Sequence, residues 1–166
     1  MFILYFGGQK SGKSKLAEKK AIKLAKKTSK KPFYIATYDD SYFDDEMKKR
    51  VKAHKKQRKN NFTTIEETTN LPKVIKEGET YLIDCISMWI LNHIEEDINI
   101  LSKQLKQLKK LNTNIVFVLN DVNSGVIPID KISRKFVDTT GIIGQKLASF
   151  CDEIYEVKLG IKKRLK

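Results

Sequence analysis

Short unbroken apolar runs alternate along the chain with longer stretches in which apolar residues recur every three or four positions. Residues 2–6 form a continuous apolar run, the pattern of a strand buried on both faces. A glycine-rich turn follows at 7–12. Leu16, Ala17, Ala21, Leu24 and Ala25 then fall at helical spacing and predict a helix from 13 to about 27. Residues 33–37, after Pro32, predict a second strand. Residues 44–58 predict a highly charged helix, acidic first and basic last, a polarity that suits the helix dipole. A short strand is expected at 62–66, and a short helix at 71–76 with Pro72 in its first turn. Residues 81–84 read as a buried strand and 87–94 as an apolar helix. Ile98, Leu101, Leu105 and Leu108 mark an amphipathic helix. The clearest buried strand is 115–119. A polar loop spans 120–128, and Ile132, Phe136, Thr140, Ile143 and Leu147 stripe another helix. Segments 154–158 and 161–165, separated by Gly160, predict a closing antiparallel hairpin. Strands alternating with helices predict an α/β fold, a mainly parallel sheet flanked by helices on both faces.

Length and composition narrow this picture. The 166 residues, 40% hydrophobic and 9% aromatic, suit one folded domain over 1–166. No apolar stretch reaches the ~20 residues of a spanning helix. The apolar start is too short, and lacks the basic flank, for a secretory signal. Two cysteines, Cys85 and Cys151, and two histidines supply neither a disulfide framework nor a four-ligand zinc site. A cytoplasmic, reducing setting is expected. The net charge is +13, but 29 of the 33 basic residues are lysine. Nucleic-acid grips lean on arginine, so no nucleic-acid partner is expected. The lysines read as solvated faces, with a field favourable to anionic ligands.

Candidate chemistry starts at Gly7-Gly8-Gln9-Lys10-Ser11-Gly12-Lys13-Ser14, which fits G-x-x-x-x-G-K-[ST] between a strand and a helix. Glycines let backbone N–H groups turn toward phosphate oxygens, and the helix N-terminus adds its positive dipole end. Lys13 is expected to reach the β- and γ-phosphates and Ser14 to bind Mg2+. Asp84, ending its strand, is the candidate for the metal's acidic partner; capping of the next helix is the alternative. No N-K-x-D follows the later strand, so guanine recognition of the small-GTPase kind is not indicated. On the charged helix, Arg50, His54 and Arg58 share a face. Flanking arginines favour a neutral imidazole, which is a competent nucleophile toward phosphorus. A solvated histidine within a charge run is the alternative. His93, on an apolar segment, is expected at the edge of the core.

These residues, taken in order, resemble the bifunctional adenosylcobinamide kinase / adenosylcobinamide-phosphate guanylyltransferase family of cobalamin assembly. GGQKSGKS is similar to that family's GGxxSGKS loop, and Tyr34-Ile35-Ala36-Thr37 to its YIAT strand. Asp45-Glu46-Met47, Arg50-Val51 and His54-Lys55 resemble its D-E-M-x-x-R-I-x-x-H-[RK] segment. Asp84-Cys85-Ile86-Ser87-Met88-Trp89 resembles D-C-[IL]-[ST]-x-W. The segment from Asn120 to Pro128 resembles N-E-V-G-x-G-I-V-P, and the tail a closing G-[IL]-x-x-[KR]-L-K. Departures are Phe62 for Trp, Asp121 for Glu, Asn123 for Gly, and Gly144 for Asn.

The resemblance implies a RecA-like P-loop fold and a homotrimer. It implies phosphorylation of adenosylcobinamide, a corrinoid, by ATP or GTP. It also implies transfer of GMP from GTP through His54, giving adenosylcobinamide-GDP. It places Thr37, Lys55, Arg58, Glu66 and Asp84 at nucleotide contacts. The alternative is a P-loop enzyme with only one of these activities, or with another alcohol acceptor.

Overall fold

The computed structural model describes residues 1–39 and 59–166. The expected charged helix at 44–58, with Arg50, His54, Lys55 and Arg58, lies outside the described residues. Within them the order is β1 (Phe2–Gly7), α1 (Lys13–Ala25), β2 (Phe33–Ala36), β3 (Thr63–Glu66), α2 (Leu71–Val74) and β4 (Thr80–Asp84). Then come α3 (Ile86–Asn92), α4 (Ile98–Lys109), β5 (Asn114–Asn120), α5 (Lys131–Phe150), β6 (Glu153–Lys158) and β7 (Ile161–Arg164). The strands form one seven-stranded sheet, β3-β2-β4-β5-β1-β6-β7. All pairings are parallel except β6 with β7. The expected α/β architecture and its closing hairpin are therefore present.

The unbroken apolar runs have a plain cause. Successive side chains point to opposite faces, and helices cover both. Ile3, Tyr5, Leu82, Val116 and Val118 pack on one face with Ala17, Ala21 and Leu24 of α1. Leu4, Ile83, Ile115 and Phe117 pack on the other with Trp89, Leu105, Ile143 and Leu147. His93 is buried at this core, its Nδ1 2.8 Å from the Trp89 carbonyl oxygen.

Helix ends follow local chemistry. The Asp97 and Asp130 carboxylates accept from Asn99 N–H and Ser133 N–H, opening α4 and α5. The β6–β7 turn is Leu159-Gly160, both at positive φ (54° and 77°), the two-residue reversal that matches strand twist. No helix among the described residues is long and apolar enough to cross a membrane.

Candidate functional site

The site grows from the C-terminal ends of β1 and β4. Gly7 ends β1 at the closest packing in the loop. An added Cβ there would lie 2.3 Å from the Val157 carbonyl oxygen, so only glycine fits between β1 and β6. Gly12 adopts φ 94° and caps α1 with no side-chain cap bond, which points the helix N-terminus into the loop. The β6–β7 turn braces the loop from outside, Gly160 N–H donating to the Ser11 carbonyl at 2.9 Å. Asp121 N–H donates to the Gly7 carbonyl at 2.9 Å, fixing the start of the loop from the β5 side. Gln9 and Lys10 are exposed at the loop's tip.

Lys13 is buried, and its Nζ reaches back 3.1 Å to the Gly8 carbonyl. Burial lowers its pKa, and the nearby Asp84 carboxylate pulls it part of the way back up. Ser11 Oγ is buried with no hydrogen-bond partner among the described residues, a polar atom left over inside the cradle. The Ser14 hydroxyl donates to Asp84 Oδ1 at 3.4 Å, and the Tyr34 hydroxyl to Oδ2 at 3.2 Å. Asp84 does not cap α3, whose N-cap is Cys85 with no side-chain capping bond. The loop thus meets Asp84 across β5, between strands the chain separates by 70 residues at the Ser14–Asp84 contact.

Around Asp84 the support comes from side chains. The Thr37 hydroxyl accepts from Cys85 N–H at 3.0 Å and donates to the Cys85 carbonyl at 2.8 Å. Asn92 Nδ2 donates to the carbonyls of Thr37 and Thr68, both at 2.8 Å. The Ser87 hydroxyl oxygen accepts from Asn120 N–H at 2.9 Å. Burial, with Asp84 adding to it, pushes the Cys85 thiol up to about 11, so Cys85 sits there as a neutral filler. Phe62, edge-on to Tyr34 with centroids 6.1 Å apart, keeps an aromatic beside that tyrosine. Glu66 is exposed at the end of β3, in register with Ala36. His54, Lys55 and Arg58 are outside the described residues. Sequence reasoning assigned no role to Tyr34 or Asn92; only the register of β2 beside β4 brings them to the site.

The arrangement suits a polyphosphate. Loop N–H groups and Lys13 are the donors that anionic oxygens take, and Ser14 with Asp84 offers the hard oxygen donors that Mg2+ takes. A parallel sheet whose first strand feeds this loop, with an acidic strand end two strands away, defines a P-loop nucleotide-binding protein of RecA-like fold. A KaiC-like protein from Pyrococcus horikoshii OT3 has a similar fold, with TM-score 0.50 at 13% identity over 93% of this chain and 69% of that one.

More specifically, residues 3–165 match the family described as cobinamide kinase / cobinamide phosphate guanyltransferase, and the chain belongs to that family. It is 31% identical to the bifunctional adenosylcobalamin biosynthesis protein CobP of Pseudomonas aeruginosa, over 98% of this chain and 96% of that one. Identity to the bifunctional adenosylcobalamin biosynthesis protein CobU of Escherichia coli is 28%, over the full length of both chains.

Proposed function

We propose that this protein phosphorylates the aminopropanol hydroxyl of adenosylcobinamide with ATP or GTP. It then passes GMP from GTP through His54 to the new phosphate, giving adenosylcobinamide-GDP. The observation that carries this reading is the meeting of Lys13, Ser14 and Asp84 at one end of the sheet, in a chain whose family match spans residues 3–165.

In the first reaction the hydroxyl oxygen attacks the γ-phosphorus. The bond to the nucleoside diphosphate breaks, and the hydroxyl proton passes to solvent. Loop N–H groups and the Lys13 ammonium stand where charge develops on the phosphate oxygens. Ser14 and Asp84 fit Mg2+: both are oxygen donors, 3.4 Å apart, beside the phosphate cradle. No group of three His, Cys, Asp or Glu side chains that could hold a metal occurs among the described residues. Phosphate oxygens and water would complete the coordination. Mg2+ there supplies charge neutralisation.

In the second reaction a neutral His54 nitrogen attacks the α-phosphorus and pyrophosphate leaves. An oxygen of adenosylcobinamide phosphate then attacks the same phosphorus, and the P–N bond breaks to restore the imidazole. Lys55, Arg58 and Glu66 are assigned to the nucleotide in this step. The protein acts in the cytoplasm as a homotrimer.

The test is labelling with α-³²P-GTP and Mg2+, wild type against His54→Ala, read on a denaturing gel. An acid-labile, alkali-stable label on wild type that is lost in the variant is expected. A well-folded, GTP-binding wild type that takes no label would overturn the transferase half. Transfer from γ-³²P-GTP to adenosylcobinamide tests the kinase half separately.

A further inference from the structure

We propose that Thr37 is a positioning residue for Asp84 and works through the backbone of Cys85, not through contact with the nucleotide. The proposal rests on the reading of Lys13, Ser14 and Asp84 as a magnesium–nucleotide site. The backbone ladder between β2 and β4 ends at the pair Ala36–Asp84. One residue further the Thr37 side chain takes over. Its hydroxyl accepts from Cys85 N–H at 3.0 Å and donates to the Cys85 carbonyl at 2.8 Å. A single hydroxyl thereby does for Cys85 what the peptide groups of a neighbouring strand do along the ladder. Thr37 is fully buried, and its own carbonyl is held by Asn92 Nδ2 at 2.8 Å. The hydroxyl is therefore fixed in place and committed to Cys85.

The residue so held is the one that follows Asp84. The Asp84 carboxylate is shared between the Ser14 hydroxyl at 3.4 Å and the Tyr34 hydroxyl at 3.2 Å. Tyr34 orients the carboxylate, while Thr37 fixes the peptide from which it projects. Without the Thr37 hydroxyl, the half-buried Cys85 N–H loses its partner and the Cys85 carbonyl keeps only the Trp89 N–H at 3.3 Å, so the peptide must reorient to find others. The carboxylate moves with it, away from Ser14. Small displacements of a group that completes a binding geometry have disproportionate effects.

The experiment is an Mg2+ titration of mant-GTP binding to the full-length protein, read by fluorescence, with thermal unfolding recorded alongside. Thr37→Val keeps the shape and removes both hydrogen bonds. It is expected to need at least tenfold more Mg2+ for half-maximal binding, with metal-free nucleotide affinity unchanged. Thr37→Ser restores the hydroxyl and is expected at the wild-type midpoint. Thr37→Cys keeps the volume with a weaker donor; its expected midpoint lies between, and it carries the test if the valine variant does not fold. A folded Thr37→Val or Thr37→Cys protein with the wild-type Mg2+ midpoint overturns the proposal. So does an equal loss of metal-free nucleotide binding, which would mark a direct nucleotide contact. A folded wild type whose mant-GTP binding ignores Mg2+ overturns the magnesium-site reading itself, and this proposal with it.

Discussion

The two halves of the site are built from different materials. On the β1–β6 side the phosphate loop is held almost entirely by backbone. The Val157 carbonyl closes on Gly7, Gly160 N–H bonds the Ser11 carbonyl, and Asp121 N–H bonds the Gly7 carbonyl. On the β2–β4 side Asp84 is held by the side chains of Tyr34 and Ser14, and the residue after it by Thr37. Backbone clamps leave no room for substitution, because the neighbouring atom cannot rotate away. Side-chain clamps are graded, because a missing hydroxyl removes one or two hydrogen bonds and spares the packing. The phosphate side should therefore break abruptly under mutation, and the acidic side should weaken in steps.

The sharpest break is Gly7→Ala. The new Cβ would sit 2.3 Å from a backbone oxygen of β6, where no side chain can yield. Either β6 shifts against β1, where Phe6 pairs with Glu156, or the loop leaves the helix N-terminus. A loss of roughly 3 kcal/mol is expected, at the upper end for overpacking. For a chain of this size that lowers Tm by roughly 6–12 °C. Calorimetry checks it, and nucleotide binding should fall with it. A Gly7→Ala protein with wild-type Tm would mean that the β1–β6 contact is not a clamp.

On the graded side, Tyr34→Phe removes one hydroxyl and keeps the ring against Phe62. The expected cost is about 1.5 kcal/mol, the lower end of the range for a hydrogen bond to a charged group, as suits a contact of 3.2 Å. Denaturant unfolding measures it. Mg2+-dependent nucleotide affinity should drop only a few-fold. A collapse as severe as that of Gly7→Ala would erase the distinction between the two halves.

The same contrast explains what the sequence disclosed. The phosphate loop was legible because its constraint is local: a helix start with glycines at set spacing needs no knowledge of the rest of the fold. The inner strands were legible because both faces are buried, so their apolar runs are unbroken. Asp84 was legible as the polar end of such a run. The roles of Tyr34, Thr37 and Asn92 were not legible, because they depend on strand register. Tyr34 reads as one more apolar position of β2, and its hydroxyl matters only once β4 lies alongside, 50 residues away in the chain. Asn92 reads as the polar tail of an apolar helix. Resemblance, not spacing, placed Thr37 among nucleotide contacts, and the two bonds between its hydroxyl and Cys85 follow only from where β4 lies. The turn Leu159-Gly160 was half legible: glycine marked it, while leucine at φ 54° carried no local signal.

The smallest expected effect concerns an ion pair that reinforces the backbone-held side. Lys20 of α1 bonds Glu153 of β6 at 2.7 Å, and the Tyr155 hydroxyl donates to the same carboxylate oxygen at 2.9 Å. The pair ties the helix that follows the phosphate loop to the strand that closes on Gly7. Burial pushes the Glu153 carboxyl up, but the Lys20 and Tyr155 hydrogen bonds outweigh it and hold the pKa below the usual value. A carboxyl lowered on folding adds stability that is complete above its unfolded pKa. That stability is lost as pH falls through the folded value. Glu153→Gln should therefore cost about 1 kcal/mol at pH 7, since both side chains are largely covered (20% and 15% exposed) and salt screens them only in part. The gap between variant and wild type should shrink as pH drops below the ordinary carboxylate range, and should narrow modestly in high salt. Urea midpoints from pH 7 down to pH 3 measure it. A gap that stays constant with pH would mean that the contact stabilises by packing alone. The phosphate side would then owe nothing to charge, and its backbone clamps would account for its rigidity by themselves.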